Sequence, residues 1–345
     1  MAQTLAAFLN ARSAPESLKG LIAGIADGCV RISHAVRQGA TADMLGTAGD
    51  TNVQGEVQKT LDLAADDIMM DVCRAAPGVV AAASEEQDDI VAVGQVGPGE
   101  GWLVLFDPLD GSSNIEVNVS IGTIFSVLPA PTAETPRDPK AEDFFQPGRN
   151  QAAAGYVVYG PQTLLVFTLG DGAFGFTLEP DSGEWVLTHD RIAVPAETKE
   201  FAINTSNQRH WHAPVQRYIA DCLAGTTGPR GKDFNMRWVA SMVADVNRIM
   251  MRGGVFLYPA DRKAPSKPGR LRLMYEAAPM AMVMEQAGGA ASDGTQAMLD
   301  VVPNALHQRV PVMIGSKAEI ETFLTYREGC ASLRGRDVLA KCLPK

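Results

Sequence analysis

Cysteine is scarce in this chain. There are five in 345 residues, Cys29, Cys73, Cys222, Cys330 and Cys342, and no Cys-x-x-Cys pair among them. That excludes a zinc finger or ribbon and a dense disulfide framework. The odd count, with an opening "MAQTLAAFLNARSAPESLKG" whose apolar run is too short for a secretory signal, points to the reducing cytoplasm. Long hydrophobic runs are missing as well, so no membrane span is expected. Positive charge is in deficit: 30 Lys and Arg against 40 Asp and Glu leave a net charge of −10. Nucleic acid and anionic membrane surfaces are thereby excluded as partners. An acidic protein that handles an anionic substrate needs local cations, either metals or clustered Arg and Lys.

What is present is an ordinary globular composition, 46% hydrophobic and 20% charged, with length enough for two domains around a large core. Apolar residues recur at helical spacing from Leu18 to Val36. A Gly/Thr-rich stretch, "LGTAGDTNVQGE" (45–56), reads as flexible, and a second helix is expected over 56–76, ending at Pro77. Strand-like runs follow: "GVVAAAS", "WLVLF" and "VSIGTIFSVL". Residues 129–151 read as a surface loop, and a Gly-punctuated β meander follows to about residue 180. Beyond about 190 strands and helices alternate. The expected architecture is mixed α/β with alternating helix and sheet layers and two subdomains, 1–190 and 191–345.

The informative nonapeptide is "FDPLDGSSN" (106–114), which places Asp107 and Asp110 around Pro108 and follows them with Gly111, Ser112 and Ser113. Glu85 and Glu86 end another strand-like run, and Glu276 lies in a helix-like one. Taken singly, each is most simply a solvated turn acid. Should the strand ends converge, five carboxylates would face one pocket and could not all stay ionised without cations. Hard oxygen ligands without His or Cys select Mg2+ or Mn2+. A Gly/Ser turn beside them offers backbone amides to an oxyanion. Together they suggest metal-assisted transfer of a phosphoryl group to water.

Glu56, Asp62, Asp66 and Asp67 fall on the second helix; a solvated face is the expectation for most, with Asp62 singled out as partly buried. Late in the chain, Arg237, Arg262, Lys263, Lys267, Arg270 and Arg272 concentrate positive charge suited to phosphate. The bland alternative is a basic surface loop, with Arg272 and Glu276 an exposed pair worth about half a kcal/mol.

In this order, these residues resemble the class I fructose-1,6-bisphosphatases, from about residue 18 to 325. The specific pieces are "TNVQGEVQKTLD" (51–62), "FDPLDGSSNIEVNVSIGTIF" (106–125), "RWVASMVAD" (237–245), "GGVFLYP" (253–259) and "RLRLMYEAAPMAMVMEQAGG" (270–289). The resemblance implies the layered fold of the sugar phosphatases, and removal of the 1-phosphate of fructose 1,6-bisphosphate by metal-activated water. It implies that Glu85, Glu86, Asp107, Asp110, Glu276 and the Leu109 carbonyl hold two or three Mg2+ ions, with Mn2+ as substitute. Gly111, Ser112 and Ser113 would bind the 1-phosphate, and Asp62 with Glu86 would activate the attacking water. Residues 45–60 match the family's mobile loop. Asn204, Tyr258 and Arg237 would grip the 6-phosphate, Arg237 arriving from a neighbouring subunit of a homotetramer, and Arg270 would replace a lysine that contacts the sugar.

The sequence departs from the family pattern at several positions. Trp238 stands for a tyrosine that contacts the 6-phosphate, and Ala278 for an asparagine before Pro279. Where AMP-inhibited members carry Thr-Gly-Glu-Leu-Thr, this chain has "PESLK" (15–19); Gly101-Trp102 replaces Lys-Tyr and Pro129 replaces an Arg. Weak or absent AMP inhibition is therefore expected. The 129–151 loop has no cysteine, which speaks against redox control of the chloroplast kind. Sedoheptulose-1,7-bisphosphatase or dual activity, an inositol monophosphatase-like activity, and a catalytically inactive sugar-phosphate binder are the competing readings.

Overall fold

The computed structural model describes residues 3–39, 47–51 and 57–334. Glu56 and much of the stretch read as a mobile loop lie outside the described residues. The chain opens with α1 (Leu5–Asn10), capped by the Thr4 hydroxyl oxygen, and α2 (Glu16–Gln38). On α2 the recurring Leu18, Leu21, Ile22, Ile25 and Ile32 are all buried. An antiparallel pair, β1 (Thr47–Thr51) and β2 (Val57–Lys59), then leads into α3 (Thr60–Ala75). The helix expected over 56–76 thus starts later, because residues 57–59 pair with β1 instead.

Next come β3 (Val79–Ser84), β4 (Val91–Ala92), β5 (Trp102–Asp110), β6 (Ile121–Pro129), β7 (Ala153–Tyr159), β8 (Thr163–Thr168), β9 (Phe174–Leu178) and β10 (Trp185–His189). They form one eight-stranded sheet in the order β10-β9-β8-β7-β6-β5-β3-β4. Only β3 and β5 run parallel within it. The stretch between β6 and β7 runs over the surface, as expected, and is anchored there. Phe144 is fully buried, and Arg137 grips Asp143 with two bonds of 2.6 and 2.8 Å.

The remaining elements are β11 (Glu200–Ile203), α4 (Ala213–Leu223), β12 (Asn235–Met236), α5 (Met242–Arg252), β13 (Val255–Tyr258), β14 (Leu271–Arg272), α6 (Ala278–Gln286), β15 (Ala290–Ser292), β16 (Arg309–Val310), β17 (Val312–Gly315) and α7 (Lys317–Arg334). A five-stranded sheet takes the order β12-β11-β13-β17-β15.

Three apolar cores define the layers. One joins α1, α2 and α3 to the first face of the large sheet. The second packs α5 and α6 between the two sheets. The third sets α4 and α7 on the outer face of the small sheet. Because β5 is covered on both faces, it reads as a continuous apolar run up to its acids. For the same reason α6 is apolar all round: Met280, Ala281, Met282, Val283 and Met284 are all buried, with about 1.5–3 kcal/mol available from each large side chain. Among the described residues no helix is long and apolar enough to cross a membrane.

Candidate active site

Parallel pairing of β3 and β5 brings their carboxyl ends to one edge. Glu85 and Glu86 follow the first, while Asp107 and Asp110 close the second. The acidic stretch is strand, not turn. A spacing of three would put the two aspartates on opposite faces of a regular strand. The register with β6 shifts between them: Asp107 faces Ile124 and Asp110 faces Gly122. Pro108 and Leu109 therefore oppose Thr123 alone. This bulge adds one residue and returns Asp110 to the face of Asp107. One carboxylate oxygen each from Asp107, Asp110 and Glu276 then lies within 4.8 Å of the others.

Each acid is held by the chain. Asp107 Oδ1 accepts the Leu109 amide at 3.0 Å, inside the bulge. Asp110 Oδ2 accepts the Ser241 hydroxyl at 3.2 Å and the Val243 amide at 2.9 Å, from the start of α5. Glu276 lies in a single π turn, Leu273–Ala277, and its Oε2 accepts the Arg272 amide at 2.5 Å. Glu85 Oε1 meets Arg272 Nη1 at 2.6 Å. The exposed Arg272–Glu276 pair considered from sequence is thus corrected. Arg272 is buried, sits on a strand, and turns its guanidinium to Glu85.

The carboxyls of Asp107, Asp110 and Glu276 are pushed above the ordinary range by burial first and by neighbouring acids second, Asp110 to about 6. Such a cluster favours protons or cations. With oxygen donors alone, it fits a hard divalent ion.

The acids line a cavity of about 390 Å3 with Asp62, Glu86, Leu109, Gly111, Ser112, Ser113, Asn204 and Tyr258 on its wall. Asp62 and Asp66 are each only 2% exposed, which corrects the expectation of a solvated helix face for Asp66; Asp67 alone of that trio is exposed. Gly111 takes a left-handed conformation, φ 80°, and a Cβ there would come within 2.9 Å of Ser241 Cβ. Ser112–Asn114 form a short 3-10 turn tied by Asn114 Nδ2 to the Ala240 carbonyl at 2.9 Å. Asn204 and Tyr258 sit at the carboxyl ends of β11 and β13.

Trp238 lies parallel to Phe256, centroids 5.6 Å apart, and both line the cavity. Arg237 and Arg270 do not. Arg237 is exposed beside β12, and Arg270 points its guanidinium toward Asp261 at 3.7 Å. Sequence reasoning missed Ser241, Phe256 and the Arg272–Glu85 pair. "RWVAS" carried the only local signal for Ser241, and the pair carried none.

Comparison with known proteins supplies an independent frame. Residues 4–190 match the family model described as fructose-1-6-bisphosphatase, N-terminal domain, and residues 194–328 match that of the C-terminal domain. The chain is similar to the crystal structure of Leishmania major fructose-1,6-bisphosphatase in holo form, with a TM-score of 0.87 and 33% identity over 95% of this chain and 99% of that one. The apo form of the same enzyme gives a TM-score of 0.82 and 31% identity, over 95% of this chain and 100% of that one.

Proposed function

The chain belongs to the fructose-1,6-bisphosphatase family and is a phosphatase; on that premise we propose that it hydrolyses the 1-phosphate of D-fructose 1,6-bisphosphate at a Mg2+-dependent site. The observation that carries this reading is the convergence of Asp107, Asp110 and Glu276 on one cavity that also holds Gly111, Ser112 and Ser113. Acids that repel each other while buried are suited to cations, and a Gly/Ser turn next to them is suited to a phosphate.

In this reading Glu85, Glu86, Asp107, Asp110, Glu276 and the Leu109 carbonyl hold two or three ions, Mg2+ or in its place Mn2+. When bound, these ions would neutralise charge on the transferring phosphoryl group and acidify a water. The protein's own tasks are separate. Asp62, buried near the start of α3, and half-buried Glu86 both line the cavity and accept the proton of the attacking water. Gly111, Ser112 and Ser113 orient the 1-phosphate in line. Asn204 and Tyr258 meet the 6-phosphate across the cavity, and Trp238 offers an indole N–H where a phenol is usual. Arg270 contacts the sugar after release from Asp261.

Arg237 completes the site in a neighbouring subunit of a homotetramer. Its exposure beside β12, the edge strand of the small sheet, supports that role. The free buried thiols of Cys29, Cys73 and Cys222 support a cytoplasmic setting.

Phosphate release from fructose 1,6-bisphosphate, sedoheptulose 1,7-bisphosphate and inositol monophosphate, with and without Mg2+, tests the reading. Release should be fastest from the fructose ester and vanish on chelation. Preference for inositol monophosphate, or undiminished activity in EDTA, would refute it.

A further inference from the structure

Behind the bulge that aligns Asp107 with Asp110 lies a buried chain of hydroxyls. Thr123 is the residue of β6 that faces the doubled pair Pro108 and Leu109. Its hydroxyl is 2.8 Å from the Pro108 carbonyl oxygen and 2.8 Å from the Tyr159 hydroxyl, and Thr123 is fully buried. The thiol of Cys29, on α2, lies against Tyr159. Simple valence sets the direction of the chain. The carbonyl can only accept, so Thr123 donates to it. The Thr123 oxygen then accepts from Tyr159, and the Tyr159 oxygen is left facing the Cys29 thiol.

A bulge leaves the polar groups of its extra residue outside the ladder. Proline carries no amide hydrogen, so at Pro108 the carbonyl alone needs a partner, and Thr123 supplies it. We propose that Thr123, backed by Tyr159, is a positioning residue of the phosphoryl-transfer site. It fixes the Pro108 carbonyl on the core side of β5, so that Asp107, Leu109 and Asp110 present their oxygens to the cavity as one rigid unit. The proposal rests on the metal-site reading given above. It differs from a packing role, because valine has nearly the same shape as threonine but cannot donate.

The test is Mn2+ binding to metal-free protein, followed by paramagnetic resonance, with phosphate release measured alongside. Thr123→Val should bind Mn2+ roughly tenfold more weakly, the lower end of what loss of a group that orients metal ligands costs, because Pro108 links the ligands Asp107 and Leu109. Thr123→Ser, which keeps the donor, should stay within about twofold of the parent. Tyr159→Phe, a milder change should the valine variant not fold, should weaken binding by about threefold. At saturating metal the KM for the bisphosphate should move less than the metal requirement does. Parental Mn2+ affinity in Thr123→Val, or in Tyr159→Phe if the valine variant does not fold, reduces Thr123 to a core residue and overturns the proposal. Absence of Mn2+ binding by the parent overturns the metal-site reading itself, and the proposal with it.

Discussion

Arg272 Nη1 and Glu85 Oε1 are 2.6 Å apart, on side chains only 7% and 10% exposed. The same residue also donates its amide to Glu276, so one arginine braces two of the clustered acids from the protein side. Breaking a buried ion pair at one partner costs about 3–5 kcal/mol, because the other charge stays behind unpaired. Arg272→Met, similar in length but neutral, should lower the thermal midpoint in EDTA. On the proposed reading much of the loss should return with saturating Mg2+, because an ion held only by the folded form stabilises it and relieves the same repulsion. Calorimetry with and without metal checks this; an unchanged midpoint in EDTA would show that the pair has no structural weight.

A second prediction concerns pH. Burial holds Asp107, Asp110 and Glu276 above the ordinary carboxylate range, Asp110 at about 6 against 3.8. Between those values the folded protein keeps protons that the unfolded chain has lost. Stability from these groups is therefore complete below the unfolded value; the share of Asp110 is lost as pH rises through about 6, and that of Asp107 and Glu276, held well above the ordinary range, is lost as pH rises through their own raised values. The metal-free protein should melt at a lower temperature at about pH 7 than at about pH 5. Mg2+ should flatten that slope, and its binding near pH 6 should release protons. A metal-free midpoint that rises across this window would contradict the assignment.

The acids themselves were legible in the sequence, since Glu85 and Asp107 each follow a strand-like apolar run and Asp110 comes three residues later. Their geometry was not. Nothing in "FDPLDGSSN" announces a bulge, which is fixed by pairing with β6, and without it Asp107 and Asp110 would face apart. Asp66 was misjudged for a related reason. Its i, i+4 spacing from Asp62 is visible, but its partner, Gln87 Nε2 at 2.5 Å, lies on the far side of β3 in sequence. Arg272 looked like one of several loop cations because the acid it serves is remote along the chain. Local pattern gave residue types and strand ends; long-range pairing gave facing and charge partners.

Loss of either Glu86 or Asp110, both placed in the proposed metal site, should separate chemistry from folding. Glu86→Gln keeps the size of a half-buried side chain and should leave stability within about 1 kcal/mol of the parent. Its turnover should fall roughly 10²- to 10⁴-fold, the usual worth of a positioned general base. Asp110→Ala should lose comparable turnover while remaining folded by circular dichroism, although Ser241 and Val243 lose their acceptor. Near-parental turnover in either variant would remove the metal-site reading.

The last prediction is a missing response. At the place where AMP-inhibited relatives carry Thr-Gly-Glu-Leu-Thr and Lys-Tyr, this chain has groups already committed to one another. Trp102 is buried, with its indole Nε1 donating to Ser17 Oγ at 3.0 Å. Lys19 is buried along its stem and ends 2.8 Å from Glu16 Oε1. The Gly101 carbonyl accepts the Ala130 amide at 2.7 Å, and any Cβ on Gly101 would approach Val80 to 2.6 Å. A nucleotide phosphate would have to break the Lys19–Glu16 pair, and its base would have to displace a buried indole, with no arginine at position 129 to offset either cost. Activity titrated with AMP should stay level to millimolar concentration. Inhibition at micromolar AMP would mean that this surface rearranges, and differential scanning with AMP would then show a matching rise in thermal midpoint.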